Sequence, residues 1–115
     1  MPLVMLPTPA EVLRLLGRLD PAGVAAMIEV AGVRGWRFRE CGCPVSRYVG
    51  WASGVAVRVS PERWETTGRP GGLVEWCGVP PPSVAAFIAG FDCGDYPGLE
   101  AASRPPMPGW VAADA

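Results

Sequence analysis

Along the first third of the chain the apolar positions recur at helical spacing. Val12, Leu15, Leu16 and Leu19 make one stripe, the pattern expected where one face of a helix meets a core. Thr8 stands where a cap belongs, Pro9 suits the first turn, and Glu11 holds the capping-box position. Together they predict a helix ending near Leu19, with Arg14 and Arg18 on its other face. Asp20-Pro21 opens a second helix at once, with Val24, Met27, Ile28 and Ala31 as its stripe and Gly32 as its stop. So short a link predicts a helical hairpin or corner. Both stripes are expected to be core.

From Arg34 to Arg39 arginine alternates with aromatic residues. The period is close to two, which predicts a short extended segment with Trp36 and Phe38 on one side and Arg37 and Arg39 on the other. The simpler reading is an edge strand with buried rings and a solvated arginine face. The functional reading is a nucleic-acid surface, with rings stacking on bases and arginines meeting phosphates. Helical spacing returns after Cys41-Gly42-Cys43-Pro44, where Cys43 can cap and Pro44 can begin a helix carrying Val45, Tyr48, Val49 and Ala52 on one face. Arg47 and Trp51, four residues apart on a neighbouring face, are placed to stack. Gly50 and Gly54 bound this helix.

The period then changes to two. Val55, Val57 and Val59 alternate with Ala56 and Arg58, predicting a half-buried strand. Ser60-Pro61-Glu62-Arg63 reads as a turn, Trp64 to Thr67 as a returning strand, and Leu73 to Cys77 as a third, joined by short links into an antiparallel meander. Pro80-Pro81-Pro82 leads into a last helix, Ser83 to Phe91, with Val84, Phe87, Ile88 and Phe91 as its stripe. It stops at Asp92-Cys93-Gly94, and Asp95-Tyr96-Pro97-Gly98-Leu99 turns back on it. The expected fold is α+β: an N-terminal helical hairpin, a short Cys-Pro helix, a three-stranded antiparallel meander and a C-terminal helix. Residues 1–102 are expected to form one compact domain. A Pro-rich tail without periodicity, residues 103–115, is expected to be loose and held down by Trp110.

Composition narrows the chemistry. At 115 residues and half hydrophobic, the chain can bury a core and is not a disordered sequence. It contains no Lys, His, Asn or Gln, so all ten basic residues are Arg. This usage, beside abundant Ala, Gly, Pro and Val, points to a GC-rich genome. It also leaves the sequence without a His base or ligand, a Schiff-base Lys or a P-loop Lys. The net charge of −1 is unevenly spread: residues 34–69 hold seven Arg and three Glu, residues 70–115 one Arg and five acids. The basic middle and the acidic C-terminal part are expected to attract each other within the fold. No stretch approaches the roughly 20 apolar residues of a membrane span, and Met1 to Leu6 is too short and uncharged for a signal peptide. A cytoplasmic chain with reduced thiols and no membrane partner is the expectation.

The spacing of Cys41, Cys43, Cys77 and Cys93 lacks the paired knuckles of a zinc site, though four thiolates converging on a metal is conceivable. Cys43, at a helix start, is expected to have a lowered pKa and is the best nucleophile or redox candidate. Asp92 with Asp95, and Glu62 with Glu65, are spaced for acid–base or cation work but sit at turns. Gly71-Gly72 opens no βαβ unit, so no nucleotide motif survives. No cofactor, metal or catalytic residue is predicted. Five Trp in so short a chain are more than its core needs, and exposed Trp and Arg are typical interface anchors. Trp36, Arg37, Arg39, Arg47, Trp51 and Trp64 are the candidate partner-binding residues.

Cys43-Pro44-Val45-Ser46-Arg47-Tyr48-Val49, Val79-Pro80-Pro81-Pro82 and Phe91-Asp92-Cys93-Gly94-Asp95-Tyr96-Pro97-Gly98-Leu99 resemble short uncharacterised proteins of high-GC actinobacteria and their phages. Those share a Cys-Pro helix start and a Phe-Asp-x-Gly-x-Tyr-Pro-x-Leu ending. The resemblance covers residues 10–100, implies no activity and carries over no functional residue. It supports one α+β unit whose Cys-Pro helix and Tyr-Pro turn matter to the fold. The expected function is a non-enzymatic module binding another protein in a regulatory or phage–host setting. The alternatives are a nucleic-acid accessory protein using residues 34–69, and a thiol site at Cys43.

Overall fold

A computed structural model describes residues 5–67 and 76–102. Helix α1, Pro9–Leu16, begins on the predicted capping box: the Glu11 N–H donates to the Thr8 hydroxyl, and the Thr8 N–H to the Glu11 carboxylate. It ends at Gly17, short of the Leu19 expected. A Cβ at Gly17 would lie 2.5 Å from the Pro81 side chain, so the close approach of the later proline segment limits this corner to glycine. Helix α2, Pro21–Val30, is capped by Asp20, whose carboxylate accepts the Gly23 N–H at 2.7 Å. Helix α3, Pro44–Ser53, starts on Cys43, and Gly54 closes it in the left-handed region at φ 73°.

The sheet has the predicted order. Strands β1 (Val57–Val59), β2 (Trp64–Thr66) and β3 (Cys77–Gly78) form an antiparallel meander, with Arg58 opposite Glu65 and Trp64 opposite Gly78. Val57, Val59, Trp64 and Thr66 are buried on one face, while Arg58 meets Glu65 at 3.4 Å on the other. Of the third strand expected over Leu73 to Cys77, residues 73–75 lie outside the described residues, as does the tail expected over 103–115.

Helix α4, Pro82–Asp92, buries Val84, Phe87, Ile88 and Phe91, the predicted stripe. The chain then turns back through Pro97–Leu99, seating Tyr96 against Phe87 at 4.8 Å and burying Leu99. Residues Leu13, Val24, Ile28, Val45 and Val49 join them in one cluster, so all four helices and the buried sheet face share a core. The fold is α+β, as the periodicities indicated. No helix among the described residues is long and apolar enough to cross a membrane.

The segment from Arg34 to Glu40 departs from expectation. Only Gly35 is paired as a strand would be: its N–H donates to Leu99 O and its carbonyl accepts the Ala101 N–H. A Cβ at Gly35 would lie 2.5 Å from Gly42 O and Pro44 N, so this glycine lets the backbone press against the start of α3. Beyond it the chain turns, with Trp36 N–H donating to Gly42 O and Cys43 N–H to Arg39 O. Phe38 takes φ 58°. The loop closes on itself before an extended period can develop, so Trp36 is half-buried while Phe38 points to solvent.

Candidate functional site

The outer face of α3 gathers part of the predicted surface. Trp51 is 66% exposed and its ring meets Tyr48 at 5.8 Å. Arg47, expected to stack on Trp51, reaches the other way. Its guanidinium lies 4.9 Å from the Trp36 ring centroid and donates to Arg34 O at 2.8 Å. The carbonyl and the ring together fix the side chain toward the start of the helix, where α3 side chains lean.

Beside this face runs an apolar groove that the sequence did not reveal. Its volume is about 380 Å³, and α1 and α3 form its walls. Val12, Leu15, Leu16, Leu19 and Arg18 line one side, Tyr48 and Ala52 the other, with Met27 of α2 and Pro7 completing it. Val12 and Leu16 are buried at its floor, whereas Leu15 is 57% and Met27 44% exposed. The stripe expected to be core therefore divides. Leu13 replaces Leu15 in the core of α1, and Ala25 replaces Met27 in that of α2. A readable signal existed: five apolar residues at Val12, Leu13, Leu15, Leu16 and Leu19 span more of the helix than one buried face requires.

Trp64, expected as a surface anchor, is buried. Gly78 has no side chain to block it, and a Cβ there would stand 2.7 Å from the indole nitrogen. Arg37 is exposed and pairs with Glu100 at 3.3 Å; Arg39 is exposed and has no ion pair among the described residues. Arg58 bridges Glu40 and Glu65, and Arg63 meets Glu65 at 2.9 Å. Of the attraction expected between the basic middle and the acidic C-terminal part, the Arg37–Glu100 pair is one instance. The other pairs lie within the middle itself. Asp92 contributes differently, accepting the Phe38 N–H at 2.8 Å and so holding the turn that displays Phe38, which is 76% exposed.

The cysteines do not converge. Cys41 is exposed and lies beside Arg58, where it is the chief cause of that arginine's raised pKa. Cys77 lies on β3 and Cys93 at the end of α4. Among the described residues no group of three or more Cys, Asp or Glu is arranged to hold a metal. Cys43 caps α3, its sulfur accepting the Ser46 N–H at 3.4 Å, but it is also buried. Burial pushes its thiol pKa up, outweighing the Ser46 hydrogen bonds that pull it down. This reverses the expectation of a thiolate-prone cysteine, because the low dielectric disfavours the charged form. Compared with known proteins, the chain matches no family model, no curated protein and no solved structure.

Proposed function

We propose that this chain is a small non-enzymatic module that binds another protein, in a regulatory or phage–host accessory role, through the α1–α3 groove and the Trp51 rim. One observation carries the reading: Leu15 and Met27 stand exposed in one apolar groove, and the exposed Trp51 ring lies against Tyr48, which lines it. Water against such a contiguous surface is unfavourable, and a partner's apolar side chains relieve it. Trp51 and Tyr48 supply the kind of rigid aromatic area that anchors interfaces.

The test is a photo-activatable cross-linking residue at position 51 in cells of the native host, with Ala86 on the exposed side of α4 as the control position. A discrete protein adduct from position 51, absent from position 86 and lost in a Met27→Glu background, supports the reading. Equal adducts from both positions, or none from 51, contradict it.

A second reading is favoured by Phe38. An exposed ring between Arg37 and Arg39 is the arrangement that stacks on a nucleic-acid base while arginines meet phosphate. Asp92, Glu40 and Glu62 surround the same loop and work against it. A salt titration against single-stranded DNA and RNA decides: binding that is lost in Arg37→Ala and Arg39→Ala supports this reading, and no binding at low salt ends it.

A further inference from the structure

We draw no further inference here: the strongest candidate, the apolar cavity between the start of α1 and strand β3, lined by Pro9, Trp64 and Trp76, carries nothing because nothing in the structure shows what covers it.

Discussion

Phe38 and Cys43 show at residue scale how local strain and burial redirect what the sequence advertises. A bulky L-residue at φ 58° stands in the left-handed region, which Asn tolerates and Phe does not. Phe38→Asn should therefore stabilise the fold by roughly 0.5–1 kcal/mol, seen as a higher denaturant midpoint with unchanged slope. A destabilised variant would mean the ring contributes packing that its exposure does not show. Cys43 offers a test by titration. Its folded pKa lies above the ordinary thiol value of 9.0, so above that pH the unfolded state loses its proton first. Its share of stability is complete below about pH 9 and is lost as pH rises toward the folded value. Cys43→Ala should show a shallower alkaline decline than the parent chain. In native protein Cys41, Cys77 and Cys93 should label rapidly with a thiol reagent and Cys43 only on unfolding. Fast labelling of Cys43 would revive the thiol site.

At the scale of elements, caps and close approaches set the boundaries. Thr8→Ala removes the hydroxyl that accepts the Glu11 N–H and should cost about 1 kcal/mol, read as a lower melting temperature. The other bond of the capping box, from the Thr8 N–H to the Glu11 carboxylate, is the chief cause of that carboxylate's lowered pKa. That contribution is present above the ordinary carboxylate value of 4.5 and is lost as pH falls through the lowered one. Gly35→Ala forces a methyl into the backbone of Gly42 and Pro44, whereas Gly98→Ala meets nothing within 4 Å. The first should lose at least about 2 kcal/mol and the second should be nearly silent; equal effects would mean the loop and α3 are not packed as described. The four helices and the meander were legible because caps, prolines and the switch from helical spacing to alternation act locally. The Arg34–Glu40 segment was not, since Gly35 is pinned by Leu99 and Ala101 and Phe38 by Asp92. Those partners are remote in sequence, and alternation alone does not announce them.

For the whole molecule the issue is which apolar surface the core consumes. A stripe read from spacing cannot say where the core stops. Leu15 and Met27 sit on predicted stripes yet stand outside it, while Leu13 and Ala25 take their places. The difference arises from how α1, α2 and α3 meet: α1 and α3 pack on each other but leave an open groove beside their contact, lined also by Met27 of α2, and only assembled helices define a groove. Of the six candidate surface residues, Arg47 and Trp36 meet each other, Trp51 lies against Tyr48 instead, Arg37 and Arg39 belong to the Phe38 loop, and Trp64 went to the core. Since Leu15 and Met27 are not core, glutamate at either position should leave the melting temperature nearly unchanged while removing partner capture. The most direct trial of the docking face is amide chemical-shift mapping of the isotope-labelled chain on adding the partner cross-linked from position 51. Shifts concentrated on Leu15, Leu19, Met27, Tyr48 and Trp51 are the predicted result, and shifts concentrated on residues 36–42 with the groove unmoved would contradict it.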